Sequence, residues 1–227
     1  MNRDSNLYTI IYASVMVVLV AVVLAYTSQS LRSLQKENED NDKRQQMLRS
    51  INVTVAASDA KAQYDALIAD AFLVNDKGDK VEGDAFAADV VKSFAQNAYP
   101  VFVANVNGET KYILALYGAG LWGPIWGYIS VNDDKNTVYG ADFSHAGETP
   151  GLGAEIVTPA FSGRFAGKHI FVNSEFKSIA IVKPGKSVAG KDYVDGISGG
   201  TITSQGVDKM LFDSLNGYVR FLTSQNQ

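Results

Sequence analysis

The segment Asp195-Gly196-Ile197-Ser198-Gly199-Gly200-Thr201-Ile202-Thr203-Ser204 sets hydroxyl side chains around two adjacent glycines, just before a helical apolar pattern. A helix start offers free backbone N–H groups and the positive end of the helix dipole, a suitable site for a phosphate. The glycines allow close approach to the backbone. The same residues also read as a glycine turn followed by a Thr203 or Ser204 cap. No lysine follows the glycines, so this is not a Walker loop. The three-glycine spacing of a dinucleotide fingerprint is also missing.

A second candidate is His145-Ala146-Gly147-Glu148-Thr149-Pro150-Gly151-Leu152-Gly153-Ala154-Glu155. Pro150 and the glycines fix a tight loop. Leu152 suits contact with an aromatic ring, and the loop backbone suits its polar edge. Read alone, the segment is first a proline-glycine turn. In Tyr117-Gly118-Ala119-Gly120-Leu121-Trp122-Gly123, Trp122 is either a ligand-packing or a core aromatic residue. In Ile181-Val182-Lys183-Pro184-Gly185, Lys183 is either a charge partner for a ligand or a solvated loop lysine. His145 and His169 are the two histidines and read as surface or packing residues, with no metal site implied. There is no Gly-x-Ser-x-Gly elbow and no persuasive Ser/His/Asp set.

These segments need a scaffold, and 227 residues suffice for one membrane anchor and one globular domain. Apolar residues make up 46% and charged ones 19%, as in a globular chain. A net charge of −4 gives no basic excess, so nucleic acid is not an expected partner. The chain has no cysteine, which excludes disulfides and cysteine-held clusters within it. Leu7 to Tyr26 is uncharged and long enough to span a bilayer as a helix, with a signal peptide as the alternative. Arg32, Lys36, Lys43 and Arg44 follow it, and their count favours a cytoplasmic domain.

The expected organisation is a tail and transmembrane helix over 1–27, a stalk over 28–58 and a single α+β domain over 59–227, with the ligand-contacting core over about 98–223. A polar helix is expected over Ser30 to Ile51. Two more are expected near Asp59 to Ala71 and over Asp84 to Gln96, the latter with Phe86, Val90, Val91 and Phe94 inward. Strands follow at Val101–Val106 and Lys111–Tyr117, joined by the Asn107-Gly108 turn. Trp126–Val131 and Thr137–Phe143 form a second hairpin, and His169–Val172 and Ser178–Val182 are further strands. A last helix runs from about Gln205 to Thr223 on the stripe Val207, Met210, Leu211, Leu215, Tyr218 and Leu222.

Ser198-Gly199-Gly200-Thr201 resembles the Ser/Thr-Gly-Ala-Thr flavinylation motif of FMN-binding redox subunits. Gly200 departs from the usual Ala, and Asp195 matches the acidic residue that begins the extended motif. Glu148-Thr149-Pro150-Gly151-Leu152-Gly153 resembles the family's flavin-contacting signature. Within this family the chain is most similar to the NqrC branch, from sodium-translocating NADH:quinone reductases, with the RnfG branch of Rnf complexes as the alternative. The resemblance implies FMN joined covalently to Thr201 through a phosphoester by a flavin transferase. It also implies Lys183 near reduced flavin, and a role in electron transfer from NADH to ubiquinone coupled to sodium export. Implied partners are the other subunits of the complex and the bilayer around 7–26. The implied location is a bacterial inner membrane with a periplasmic domain, against the charge count; long domains often translocate regardless of flanking charge. The other reading is a non-redox, membrane-tethered binding module.

Overall fold

The computed structural model describes residues 6–224. It divides into two compact units, Met1–Asp42 and Lys43–Gln227. The first unit consists of the greater part of helix α1 (Asn6–Ser50). This is the one helix, among the described residues, long and apolar enough to cross a membrane, and its apolar stretch is wholly uncovered. Such a surface suits lipid tails, and a helix satisfies its own backbone there. Beyond it, Lys36 and Asp40 pair one turn apart.

In the second unit, the last turns of α1 bury Met47 and Leu48, and Ile51 follows them into the core. The polar helix expected over 30–51 is therefore present, but its end carries core residues rather than a solvated face. Arg49 reaches Asp142 with two hydrogen bonds of 2.9 Å.

Six antiparallel strands form the main sheet: β1 (Ile68–Val74), β2 (Lys80–Val81), β3 (Tyr99–Val106), β4 (Glu109–Ala119), β5 (Pro124–Asn132) and β6 (Val138–His145), in the order β2-β1-β3-β4-β5-β6. Alternate residues of β4 serve two cores. Tyr112, Leu114 and Leu116 face one cluster, and Ile113 and Ala115 face the other. Because both faces are covered, the strand reads as a continuous apolar run rather than an alternating one. The α+β class holds, with helices on both sides of the sheet.

The remaining helices are α2 (Ala57–Leu67), α3 (Val90–Ala95), α4 (Pro159–Ser162) and α5 (Thr201–Thr223). Two small sheets join β7 (Phe171–Val172) to β8 (Glu175–Phe176), and β9 (Ala180–Val182) to β10 (Tyr193–Asp195). The stripe expected on α5 is buried at all six positions. At the Asn107-Gly108 turn, φ is 54° and 85°, as a two-residue hairpin requires.

Several expectations are corrected. The helix near 59–71 stops at Leu67, and Ile68–Val74 pairs with β3 instead. Leu73 and Val74 enter two different cores, a period-two pattern that outweighs the helical one. The helix over 84–96 is reduced to α3. Asp84 and Asp89 each accept hydrogen bonds from amides ahead of them, so two caps divide the segment. Val91 is exposed, not inward. The strands expected over 169–172 and 178–182 shorten to β7 and β9. β10, parallel to β9, had no apolar run to announce it.

α5 is fixed along its length by polar contacts. The Ser204 hydroxyl accepts from the Ile197 amide at 2.9 Å, and the Asp208 carboxylate from the Ile181 amide at 2.8 Å. Ser214 Oγ accepts from the Tyr117 amide at 3.1 Å, and Tyr218 Oη donates to the Pro100 carbonyl at 2.9 Å. At its far end the Lys135 ammonium donates to the Ser224 carbonyl at 3.1 Å, a cation at the negative end of the dipole. These contacts set the helix's axial position and rotation, and so place its first residue, Thr201.

Candidate flavin site

α5 begins at Thr201, four residues before the expected start, with Gly200 as its N-cap and no side-chain cap. The expected Thr203 or Ser204 cap is therefore corrected. Both residues lie in the first turn, buried, with their hydroxyls engaged by Glu148 and Ile197. The Ser204 amide closes the first helical bond on the Gly200 carbonyl, whereas the amides of Thr201, Ile202 and Thr203 have no intrahelical acceptor and no capping side chain. Thr201 itself is exposed. Gly199 has φ of 77°, and a Cβ there would stand 2.7 Å from a Leu152 methyl carbon. That glycine lets the hydroxyl segment turn directly against the Pro150 loop.

Thr201 borders two cavities. The larger, of about 400 Å³, is lined by Leu121, Trp122, Glu148, Thr149, Leu152, Gly153, Gly199, Gly200, Thr201, Ile202 and Thr203. Its size falls in the range of small-molecule sites. Leu121, Trp122, Leu152 and Ile202 are all exposed large apolar side chains, Trp122 at 68%. Few large hydrophobics of the globular unit remain uncovered, so their gathering around one cleft marks a surface for a flat apolar ligand. The smaller cavity, about 70 Å³, is lined by Lys183, Pro184, Gly196, Ile197, Thr201 and Ser204 among others. Lys183 thus approaches Thr201 from the smaller cavity and does not line the cleft that holds Trp122. Pro150 and Gly151 are exposed in the loop that carries Leu152. Ser198 lies in the turn before α5, and Asp195 ends β10, where its carboxylate accepts from the Gly185 amide at 3.3 Å.

Glu148 is 4% exposed. Its carboxylate accepts from the Trp122 amide at 2.8 Å and from the Thr203 hydroxyl. Burial pushes its pKa up, but these donors and the Leu121 amide outweigh burial and hold it below the usual glutamate value. His145 Nδ1 accepts from the Glu148 amide at 3.1 Å, which assigns the ring proton to Nε2 in the neutral form. This gives His145 a loop-shaping role. Among the described residues no group of histidine or carboxylate side chains is placed to hold a metal ion.

Leu121 and Ile202 were not singled out from sequence. No local pattern marks them; the fold brings both, exposed, to the cleft. A Cβ on Gly153 would collide with Thr203 Oγ1 and stand 2.5 Å from Glu148 Oε2. Gly153→Ala is accordingly expected to destabilise the domain by about 1–3 kcal/mol, read from its urea midpoint. At Gly200 a Cβ would lie 3.1 Å from Ile197 Cβ and 3.2 Å from the Gly153 nitrogen. The family's usual alanine would fit there only with a small local shift.

The FMN-binding domain family matches residues 120–216, which contain the cleft and the first turns of α5. A solved NqrC, from the Na+-translocating NADH-quinone reductase of Parabacteroides distasonis, is 73% identical. It covers 86% of this chain and 98% of its own, with a TM-score of 0.85. A solved Shewanella oneidensis NqrC is 25% identical over 81% of this chain and 96% of its own, with a TM-score of 0.68. The corresponding reductase component of Vibrio anguillarum is 29% identical over 91% of this chain and 89% of its own length. With this fold, this cleft and these relatives, the chain belongs to the NqrC family of the Na+-translocating NADH-quinone reductases.

Proposed function

We propose that this chain is the electron-transfer subunit that carries FMN covalently on Thr201 in a sodium-pumping NADH:quinone reductase. The observation that supports it most is the position of Thr201. It is an exposed hydroxyl on the first residue of a long helix without a side-chain cap, at the rim of a cleft ringed by uncovered apolar side chains. The free amides of the first turn and the hydroxyl of Ser198 suit the phosphate. Leu121, Trp122, Leu152 and Ile202 suit a flat ring system, and the Thr149–Gly153 backbone suits its polar edge.

Bound FMN supplies one- and two-electron redox chemistry. The residues do the rest. Thr201 is an attachment point and neither acid nor base. Leu121, Trp122, Leu152 and Ile202 would hold the ring system and limit its contact with water, and the open cleft would leave it accessible to a redox partner. A covalent bond keeps the cofactor in place on the outer side of a membrane, where a dissociable one would be diluted away. On this reading α1 spans the bacterial inner membrane, and the globular unit is periplasmic. Other subunits supply the NADH site and the sodium path, and a flavin transferase makes the phosphoester.

The test is co-expression with an active flavin transferase, followed by denaturation. Flavin fluorescence that stays with the unfolded chain, and a chromophore in the folded one that bleaches with dithionite and returns in air, are expected. A colourless chain beside a transferase active on another substrate would leave the non-redox binding module as the better reading.

A further inference from the structure

Glu148 joins three segments that are distant in sequence. Trp122, 26 residues away, donates its amide at 2.8 Å, and Thr203, 55 residues away, donates its hydroxyl. The Leu121 amide also bonds the carboxylate. Glu148's own amide is fixed on His145 Nδ1. Space for the carboxylate exists because two neighbours lack side chains. A Cβ on Gly120 would stand 2.5 Å from Oε1, and one on Gly153 equally close to Oε2. The loop bearing Trp122, the loop bearing Leu152 and the first turn of α5 thus meet on one buried anion.

Thr203 and Thr201 are two positions apart on a helix, which separates them by about 200° around its axis. Holding the Thr203 side chain inward therefore turns Thr201 outward. We propose that Glu148 is a positioning residue: its carboxylate clasps the three segments so that the cleft is formed, and the Thr201 hydroxyl presented, before any ligand arrives. The clasp stands on its own geometry. Its purpose rests on the reading of Thr201 as the flavin acceptor.

The chemistry distinguishes two replacements. Glu148→Ala removes the acceptor and leaves the Leu121 and Trp122 amides and the Thr203 hydroxyl facing a void. Glu148→Gln keeps an oxygen for the amides and turns its NH2 group to Thr203, whose hydroxyl oxygen can accept. Thr203→Val, in the otherwise unchanged chain, removes one donor only. Combined with Glu148→Gln it buries an unpaired NH2 group.

The experiment is amide hydrogen exchange on the full chain in detergent, without flavin. In Glu148→Ala, exchange at Leu121 and Trp122 is expected to rise roughly tenfold or more, the scale of one lost hydrogen bond to a charged group. Glu148→Gln is expected to retain most of the protection. Thr203→Val should loosen the first turn of α5 but keep the Trp122 amide protected, and the double variant should lose more than the two single ones together. Parent-like exchange at Trp122 in Glu148→Ala, or equal loss in Ala and Gln, would overturn the clasp. Should Glu148→Ala not fold, the Gln, Val and double variants decide, and a double variant that loses no more protection than the two single ones together would overturn the clasp. A parent chain that shows this exchange pattern but accepts no flavin would retain the clasp and remove the flavin reading.

Discussion

Thr201→Ala is expected to abolish covalent flavin while leaving the fold intact. Thr201 is exposed at the first position of α5, and no side-chain cap hydrogen bond is lost with it. Alanine is the best helix former, so the change in stability should stay within about 0.5 kcal/mol. The two helix hydroxyls beside it cannot substitute. Thr203 is buried on Glu148, and Ser204 is buried and accepts from Ile197. Thr201→Ser keeps a hydroxyl and is expected to retain flavin. In-gel fluorescence of denatured protein, beside thermal melts of each variant, checks both statements. Full flavin on a well-folded Ala variant would place the acceptor elsewhere.

The second large effect is on the scaffold. Tyr218 is wholly buried against Phe94 and Tyr99, and its hydroxyl bonds both the Pro100 carbonyl and the Ala115 amide. Tyr218→Ala loses the ring and leaves those backbone groups without their partner, which should cost about 4 kcal/mol. Tyr218→Phe keeps the packing and should cost about 1–2 kcal/mol. Urea denaturation checks the ranking. Because Tyr218 locks α5 against β4 several turns beyond Thr201, flavin loading should fall with the folded fraction in the Ala variant. A Phe variant as unstable as the Ala variant would assign the role to the hydroxyl alone.

The sequence was most legible where one period ran without competition. The stripe of α5, the long apolar helix of α1 and the Asn107-Gly108 hairpin are of this kind. It was least legible where two local structures compete for the same residues. Leu67 and Ile68 fit a helix face and a strand equally well, and only pairing with β3 decides. Asp84 and Asp89 both serve as caps, so one expected helix became a turn and a short helix. The early start of α5 is hidden in the sequence because Thr203 and Ser204 resemble caps. Their hydroxyls are instead held by Glu148 and Ile197, contacts across tens of residues or across a turn that no local pattern announces. At the site, the acceptor motif and the Pro150 loop came from resemblance to a family. Leu121 and Ile202 appear only when the fold brings their exposed side chains together.

The most direct test is to locate the modification. Trypsin cuts after Lys191 and Lys209, which isolates Thr201 on one peptide together with Ser198, Thr203 and Ser204. Fragmentation of that peptide, from chain made beside an active flavin transferase, should place one FMN on Thr201 and leave Ser198, Thr203 and Ser204 free. An unmodified peptide, or FMN on any of those three, would contradict the account.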